Sequence, residues 1–473
     1  MTFIIVTSAI LFLLLALTRL DWAVLLIVAA LPTYLIRFKL LGLPLTFLEI
    51  MILIAFAVWF FKAFWPGFKK LLKDKSARMN YPYSVEIILL LIVSLLAVGT
   101  AHWSAGALGI WKAYFFEPLL LFILLFNVFK DKKSWLKILG ALAISAAAVS
   151  LLAIFQQATG LLIANPFWAA GATRRVVSFF GYPNAVGLYL APLVIIFSGW
   201  LASLNWQDGI FFYDRPKKIF LGLVIIISIL AIYFAKSEGA LIGLVVGFLV
   251  FGLLAGRKAR IITLILLIFI GAGAYFYAPA KNAIIKKATL SDLSGSIRRQ
   301  QWKETWTMLS DGRIISGAGL SGYQTAIKPY HQEGIFYNSD NLPNFDARVY
   351  GSAELRTKYW QPVEIYLYPH NIFLNFWSEL GMAGALLFIW IIGKYLFLSL
   401  RLSQKLKIKN EPEKYLALGL FAAMIVVIIH GLVDVPYFKN DLAAMFWIII
   451  ALGAALNFPL TNKGENELSD NKK

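Results

Sequence analysis

The residues of this chain that could do chemistry are cations and histidines that lie beside long apolar runs. The cations fall in three short polar segments: Arg174 and Arg175 in GATRRVVSFFGYPNAVGLYL, Lys236 in AKSEGALIG, and Arg298 and Arg299 in SGSIRRQQW. Ionisable groups near membrane depth are costly, so by default they indicate a functional site. Arginine keeps its charge and binds phosphate oxygens in pairs, so this cluster favours an anionic ligand such as a pyrophosphate headgroup.

Each cation also has a plainer interpretation. The side chains of Arg174 and Arg175 could simply extend so that their charged ends reach the membrane–water interface. Lys236 and Glu238 lie two residues apart, so they do not share a helix face, and they could form a charge pair at a helix end. The two arginines of SIRRQ could lie on a solvated helix. The residues alone leave these alternatives open.

His370 is the histidine whose position most favours proton transfer. It follows a proline in YLYPHNIFLNFWSELGMAGALLF and immediately precedes a long apolar run. A histidine at the membrane–water boundary can take and return a proton near neutral pH, so His370 is a candidate general base. A capping or interface histidine is the alternative. Asn371 and Glu379 could orient or gate it, although the following GMAGA run equally predicts close helix packing.

Nucleotide and metal sites are not expected. The segment Gly317–Gly322 (GAGLSG) matches G-x-G-x-x-G but lacks a preceding strand, so it predicts a turn. The histidines show no HExxH spacing, and the chain has no cysteine, which excludes disulfides and thiolate ligands. We therefore expect neither a metal nor a cofactor.

The composition excludes a soluble globular domain. Of the 473 residues, 60% are apolar and only 15% are charged, and the mean hydropathy is +0.74. A soluble domain carries about a quarter charged residues. The apolar runs are long enough to cross a hydrocarbon core, which takes about 20 helical residues. The chain is therefore predicted to be an all-α, polytopic transmembrane helical bundle.

The predicted spans follow from these runs. They lie near residues 3–17, 22–36, 44–61, 85–100, 113–129, 135–156, 183–203, 218–234, 238–255, 260–278, 371–399, 415–432 and 440–458. The first two are short and are separated by Thr18-Arg19-Leu20-Asp21, so they form either two short helices or one broken span. The prediction is 12 or 13 spans, with the first retained rather than removed as a signal peptide.

The orientation follows from five basic loops. They contain Lys62, Lys69, Lys70, Lys73, Lys75 and Arg78; Lys130, Lys132, Lys133 and Lys137; Arg215, Lys217 and Lys218; Arg257, Lys258 and Arg260; and Arg401, Lys405, Lys407, Lys409 and Lys414. Counting the spans places all five on one side, which the positive-inside rule assigns to the cytoplasm. The net charge of +19 therefore indicates contact with anionic membrane lipid and not with nucleic acid.

The predicted domains follow from this topology. They are N-terminal transmembrane helices (1–278), a large external loop (279–369), C-terminal transmembrane helices (370–458) and a disordered cytoplasmic tail (459–473). The external loop contains a helix-like piece from Ser296 to Leu309 and is expected to form a small ordered cap. All four histidines then fall on the external side or at its edge.

Four segments, in order, resemble the O-antigen ligase and O-antigen polymerase superfamily of bacterial membrane glycosyltransferases. They are SFFGYPNAVGLYLAPL, the R-x-x-x-W of Arg298 to Trp302 followed by GRIISGAGLSGYQ, PHNIFLNFWSELGMAGALLF, and HGLVDVPYFKNDLAAMFWIIIALG. They extend over roughly residues 170–455 and surround one large external loop; the N-terminal spans match only in hydropathy.

The resemblance implies a GT-C-like glycosyltransferase of the bacterial cytoplasmic (inner) membrane, facing the periplasm. Such an enzyme takes glycan from undecaprenyl pyrophosphate without nucleotide sugar or divalent metal. A ligase passes it to lipid A-core, whereas a polymerase passes it to another lipid-linked repeat. On this chain, Arg174 or Arg175 and Arg298 would hold the donor pyrophosphate, and His370 would activate the acceptor hydroxyl. Cationic residues would also stabilise charge on the departing group.

One departure from the family pattern concerns the donor. Many members have Ser-Arg-Gly at the outer end of a middle span, where this chain has Ser237-Glu238-Gly239. Lys236 is then the candidate replacement cation. A polysaccharide flippase is an alternative, but it predicts polar residues through the bilayer midplane and two repeat-related halves, and neither is found. A catalytically inert scaffold is a third alternative, which Glu238 keeps open.

Overall fold

The computed structural model describes residues 2–40, 43–66, 82–204, 215–409 and 411–457. It is 77% helical with almost no sheet, which confirms the predicted all-α, polytopic bundle. Helices dominate because a hydrocarbon layer offers no partners to backbone polar groups, so each segment must satisfy its own. The disordered tail predicted for 459–473 and the basic residues Lys69, Lys70, Lys73, Lys75 and Arg78 lie outside the described residues.

The helices of the described residues are numbered here in chain order. They are α1 (Thr2–Thr18), α2 (Leu20–Ala29), α3 (Phe47–Trp59), α4 (Ser84–Thr100), α5 (Ala105–Trp111), α6 (Glu117–Val128), α7 (Lys132–Thr159), α8 (Pro166–Ala169), α9 (Pro183–Ser203), α10 (Arg215–Ala235), α11 (Glu238–Ala255), α12 (Arg257–Phe276), α13 (Ala278–Ala288), α14 (Leu293–Ser310), α15 (Tyr323–Ile327), α16 (Phe345–Gly351), α17 (Ala353–Tyr359), α18 (Ile372–Ile408), α19 (Lys414–Gly431) and α20 (Asn440–Asn457).

Two short antiparallel strand pairs complete the described fold. Strand β1 (Arg37–Leu40) pairs with β2 (Leu43–Thr46), and β3 (Gly334–Phe336) pairs with β4 (Trp360–Pro362). The first pair precedes α3, whose N-terminus is closed by a capping box between Thr46 and Glu49.

Nine helical segments of the described chain are long and apolar enough to cross a membrane. They are Phe47–Phe64, Ala105–Val128, Lys132–Thr159, Pro183–Ser203, Arg215–Ala235, Glu238–Ala255, Ile372–Ile408, Lys414–Gly431 and Asn440–Asn457. Shorter apolar helices occupy Phe3–Thr18, Leu20–Ala29 and Ser84–Thr100, and α12 covers the run predicted at 260–278. The first two runs form separate helices, α1 and α2, with a break at Arg19. The total of 12 or 13 crossings stays a prediction.

Helix α18 is kinked where a loop packs into it. Gly381 has φ 75°, and a Cβ on it would lie 2.1 Å from the Ile315 carbonyl oxygen, so the kink requires glycine. The same carbonyl accepts a hydrogen bond from Met382 N (3.1 Å), and Ala318 N donates to Ser378 O (2.6 Å). The GAGLSG segment therefore forms turns against α18, as predicted, and the element directly before it in the described chain is helix α14 and not a strand.

The residues between α12 and α18 form short helices and the β3–β4 pair around a small core of their own. Met308, Leu309, Tyr323 and Ile327 are buried together there. The Thr305 and Tyr323 hydroxyls are hydrogen bonded at 2.8 Å, which ties α14 to α15. Helix α14 includes the helix-like piece predicted from Ser296 to Leu309 and carries Arg298 in its second turn.

Candidate functional site

One buried glutamine holds the loop that carries Arg174 and Arg175. Gln156 lies in the last turns of α7, and its Oε1 accepts hydrogen bonds from Val177 N (2.9 Å) and Ser178 N (2.7 Å). Its Nε2 donates to the carbonyls of Ser178 (2.9 Å) and Leu162 (3.0 Å). All polar atoms of this amide are thus used on the loop backbone, which fixes the arginines relative to α7.

Arg175 connects the turn between α10 and α11 to the start of α9. Its Nε donates to Ala235 O (3.0 Å), and its Nη2 donates to Lys236 O (3.3 Å) and to Asn184 Oδ1 (3.1 Å). Lys236 has φ 51°, so the arginine braces a residue in the left-handed region. Asn184 in turn donates from Nδ2 to Asp434 Oδ2 (3.2 Å). Arg175 is therefore linked through one amide to a buried carboxylate.

Arg174, unlike Arg175, bonds to the main chain near its own loop. Its guanidinium donates to Ala169 O (3.2 Å) and Gln157 O (2.8 Å), both main-chain carbonyls near its own loop. It does not line the cavity described below. The structure therefore brings Arg175, and not Arg174, toward the other candidate residues.

His370 lies against Oδ1 of Asp434, whereas Asn184 donates to Oδ2. Its Nδ1 is 3.8 Å from Asp434 Oδ1, beyond hydrogen-bond distance, and is buried without a hydrogen-bond partner in the described structure. The side chains are 22% and 3% exposed. Burial alone would raise the pKa of Asp434, but the neighbouring His370 and His430 and the Val435 N–H hold it well below its usual range. Asp434 is therefore an ionised partner for the imidazole.

Two side chains fix the backbone around His370. Asn371 caps α18 by accepting from Phe373 N and Leu374 N, both at 3.0 Å, and its Nδ2 donates to Leu432 O (3.1 Å). Trp302 donates from Nε1 to the carbonyl of Pro369 (2.9 Å). His370 itself has φ 46°, so these anchors hold a residue in the left-handed region.

The two arginines of α14 point to different places. Arg298 donates from Nε to Val433 O (2.9 Å) and from Nη1 to Ser294 Oγ (2.6 Å), which places its guanidinium next to the Asp434 turn. Arg299 makes one long hydrogen bond to Ser296 (3.5 Å) and does not line the cavity. Arg298 and Trp302 of the R-x-x-x-W segment lie one helical turn apart on α14. Arg298 contacts the turn that carries Asp434, and Trp302 supports the backbone before His370.

Arg175, Asn184, Arg298 and Asp434 line a cavity of about 360 Å³, and His370 adjoins this cavity through its contact with Asp434 without lining it. Its lining is mostly polar: Arg175, Asn184, Lys236, Glu238, Gly239, Ile242, Lys287, Leu290, Asp292, Ser294, Arg298, His430, Val433 and Asp434. Close approach of α11 and α19 shapes one wall, because a Cβ on Gly239 would lie 2.6 Å from His430 Cδ2. Cations from four separate elements thus meet in one space beside His370.

The acidic residue that departs from the family pattern is paired. Lys287 Nζ lies 2.5 Å from Glu238 Oε2 and 2.7 Å from Asp292 Oδ2, so one lysine bridges two carboxylates. Lys236 forms no ion pair within the described part of the chain. Lys287 supplies one positive charge against these two carboxylates, so with Arg175, Arg298 and Lys236 the four cations exceed the three carboxylates of the lining, Asp434 included, by one charge.

The other residues singled out from the sequence lie away from the cavity, in contacts or surfaces elsewhere in the fold. Glu379 is buried in α18 and accepts from Ser321 N (2.6 Å), so it anchors the GAGLSG turns. His331 lies between Glu304 Oε2 (3.3 Å) and Val363 O (3.0 Å) in the region between α12 and α18. His102 lines a separate cavity with Arg313. Of the histidines, only His370 and His430 adjoin Asp434 in the described structure.

Asn184, Lys287 and Asp434 are site residues that the sequence reasoning missed. Asn184 stands in the GYPNAVG segment and Asp434 in HGLVDVP, both quoted only as part of the resemblance. Asp434 carried a usable signal, because a single carboxylate directly after an apolar span is costly unless it has a partner. Lys287 carried none, since it is 49 residues from Glu238 in the chain and only the folded structure brings the two together.

The fold and this site define a multi-pass helical membrane protein with a positively charged cavity of about 360 Å³ next to a histidine–aspartate pair. Residues 223–389 match the family model described as O-Antigen ligase, which confirms the resemblance to that superfamily. The match includes Lys236, Arg298 and His370. It supports a glycosyltransferase or ligase of O-antigen ligase or polymerase type. A comparison with curated proteins finds no match.

Proposed function

We propose that this protein transfers glycan from undecaprenyl pyrophosphate to an acceptor hydroxyl at the outer leaflet of the bacterial inner membrane. The observation that carries the proposal is the meeting of Arg175, Arg298 and Lys236 in one cavity that adjoins His370. A pyrophosphate carries charge on both phosphates, and guanidinium groups bind such oxygens strongly in a partly dry site.

His370 is the proposed general base. Its Nδ1 faces the ionised Asp434, so the imidazole can present Nε2 to the acceptor and have its protonated form stabilised. Nε2 takes the hydroxyl proton while the acceptor oxygen attacks the anomeric carbon of the donor sugar. The bond from that carbon to the pyrophosphate oxygen breaks, and undecaprenyl pyrophosphate leaves with the bonding electron pair.

Arg175 and Arg298 are the proposed donor ligands. Each is held by backbone carbonyls, so its orientation is set before the donor binds. Charge develops on the bridging oxygen as the sugar leaves, and preorganised cations stabilise that charge most in the transition state. The cations thereby assist departure without a divalent metal or nucleotide in the proposed reaction.

The acceptor is proposed to be lipid A-core or a similar glycan, as in a ligase. Polymerase activity on a second lipid-linked repeat is the alternative within the same superfamily. The proposed orientation places His370 on the periplasmic side, because the basic loops occupy the opposite side of the bundle.

A reconstituted transfer assay tests the proposal. The protein in nanodiscs is given undecaprenyl-pyrophosphate-linked glycan with either lipid A-core or a second lipid-linked repeat, without metal or nucleotide. Enlarged lipid A-core with release of undecaprenyl pyrophosphate supports ligase activity, and elongated lipid-linked glycan supports polymerase activity. Absence of both products, together with movement of the lipid-linked glycan across vesicle membranes, would contradict the proposal in favour of a flippase.

A further inference from the structure

Two tyrosines of the segment that precedes His370 pack their rings against its imidazole. The Tyr366 ring lies 5.0 Å from the imidazole, measured between ring centroids, at an interplanar angle of 74°. The Tyr368 ring lies 6.0 Å away at 81°. Asp434 faces Nδ1 of the imidazole, whereas Nε2 makes no hydrogen bond within the described part of the chain. The imidazole is therefore bordered by an aspartate on one edge and by aromatic rings elsewhere.

The hydroxyls of these two tyrosines have different surroundings. The Tyr368 hydroxyl interacts with Tyr182, whose ring centroid in turn lies 3.8 Å from Lys439 Nζ. Tyr366 is half-buried, and its hydroxyl forms no hydrogen bond among the described residues. A tyrosine hydroxyl usually finds a partner when the ring is packed in a protein. The Tyr366 hydroxyl is therefore available to a ligand, and the Tyr368 hydroxyl is already engaged.

The backbone that carries the two tyrosines is held on both sides. Gln324 Nε2 donates to Ile365 O (3.3 Å), directly before Tyr366. His331 Nε2 lies 3.0 Å from Val363 O, and the tryptophan bond described above holds the proline carbonyl after the second tyrosine. An irregular segment whose carbonyls are bound in this way is ordered before a ligand arrives. The Tyr366 ring is thus preorganised, which lowers the entropic cost of binding.

Tyr366 also lies near the proposed donor ligand Arg298. Burial, together with the Glu364 carboxylate, raises the pKa of Tyr366, and the positive charge of Arg298 opposes that rise. The hydroxyl therefore stays protonated at neutral pH, so it can donate a hydrogen bond as well as accept one. Tyr366 adjoins the proposed base and approaches a proposed donor ligand, and an acceptor sugar must enter between these two groups.

We propose that Tyr366 binds the acceptor sugar. Its ring packs against the C–H face of a pyranose, and its hydroxyl bonds to one sugar hydroxyl while another points to His370 Nε2. A pyranose has an apolar ring face and a rim of hydroxyls, and tyrosine offers both kinds of contact in one side chain. This inference rests on the proposed transfer reaction, and it applies equally to a core glycan and to a second lipid-linked repeat.

Transfer kinetics with each of these two acceptors test the inference and identify which one binds. Tyr366→Phe keeps the ring and should raise acceptor KM about threefold or more, the effect of losing one hydrogen bond. Tyr366→Leu also removes the ring and should raise acceptor KM about tenfold or more. Donor KM should stay near the wild-type value in both variants.

Tyr350→Leu is the matched control for these variants. Tyr350 is an exposed tyrosine of α16 whose ring likewise meets an aromatic ring edge-on, that of Phe336 at 5.8 Å. The control should leave acceptor KM and donor KM unchanged. Thermal unfolding of each preparation verifies that the variants are folded.

Binding measured without donor separates the inference from the proposed reaction. Saturation-transfer NMR of core oligosaccharide, or of the released repeat, with the protein in nanodiscs reports contact with the sugar ring protons. Wild type and Tyr350→Leu should show the contact, and folded Tyr366→Leu should lose most of it. Contact that depends on Tyr366 without any transfer by wild type would contradict the proposed function and support the acceptor contact.

Three results would overturn the inference itself. One is the absence of sugar contact in wild type. Another is unchanged acceptor KM and unchanged sugar contact in both Tyr366 variants. The third is a fall in kcat with unchanged acceptor affinity, because Tyr366 would then only position His370.

Discussion

His370 Nδ1 lies 3.8 Å from Asp434 Oδ1, and a single amide, Asn184, connects that same carboxylate to Arg175. The residue proposed to take the acceptor proton and a residue proposed to hold the donor are thus positioned by one buried aspartate. The proposed general base and a proposed donor ligand are therefore connected through Asp434 and Asn184.

Asp434→Asn should lower kcat at least about tenfold with a much smaller change in KM for the donor. The substitution keeps the side-chain shape but removes the charge that stabilises a protonated His370, and general-base catalysis contributes about 10²- to 10⁴-fold. Initial rates of glycan transfer measure the effect. Asp346→Asn, at an exposed position outside the cavity, is the control. A purely structural role for Asp434 would instead lower thermal stability and the amount of active protein while leaving kcat per folded molecule unchanged.

Arg298→Gln should raise KM for the donor about tenfold or more, because it removes a charged donor of paired hydrogen bonds from the cavity. Arg298→Lys should recover only part of the loss, since an ammonium cannot reproduce the planar guanidinium. The adjacent Arg299→Gln provides the matched control and should leave donor KM unchanged. Similar increases in donor KM at both positions would show that general surface charge, and not a specific binding site, attracts the donor.

Arg174→Gln and Arg175→Gln should affect different properties, thermal stability in the first variant and donor binding in the second. Arg175→Gln should weaken donor binding and reduce transfer about tenfold or more, because Arg175 faces the cavity. Arg174→Gln should leave donor KM near the wild-type value and lower the unfolding temperature, because its bonds to Ala169 O and Gln157 O support the loop. Transfer assays and thermal unfolding of the same preparations distinguish the two. The reverse assignment of effects would contradict the placement of the donor.

Substitutions of Glu238 and Lys287 should have non-additive effects on donor KM. Lys287→Gln leaves Glu238 and Asp292 without their shared cation beside the cavity and should raise donor KM several-fold. Adding Glu238→Gln removes one of these two carboxylates and should return KM part of the way to wild type, so the double-mutant cycle should show a coupling of about 0.5 kcal/mol or more, the range for residues in contact. Additive effects would mean that Glu238 does not influence the donor and that its departure from the family pattern has no consequence there.

The sequence predicted the fold class, and it singled out four of the residues that meet around the candidate site, because those features depend on local signals. Apolar runs of helical length predict a membrane bundle, and the orientation predicted from the basic loops stays a prediction. His370, Arg298, Arg175 and Lys236 stood out because ionisable groups at membrane boundaries are costly without a partner or a function.

The contacts between distant segments could not be predicted in the same way. ATRRV gives no sign that one arginine faces its own loop and the next faces the cavity, because the buried amide of Gln156 sets that direction. Glu379 is an ionisable residue near a boundary, yet it anchors the turn that packs into the Gly381 kink. Lys287 pairs with Glu238 only because the chain brings the end of α13 to the N-terminus of α11.

The most direct test of the account is glycan transfer by His370→Asn beside His102→Asn. Both histidines have positive φ, 46° and 53°, and asparagine tolerates that conformation, so the two substitutions are matched for backbone strain. Both lie on the proposed periplasmic side, but His102 is exposed and lines a different cavity. We expect kcat to fall about 10²-fold or more in His370→Asn and to stay near wild type in His102→Asn, with both proteins folded. Equal transfer by His370→Asn and wild type would contradict the proposal that His370 is the general base.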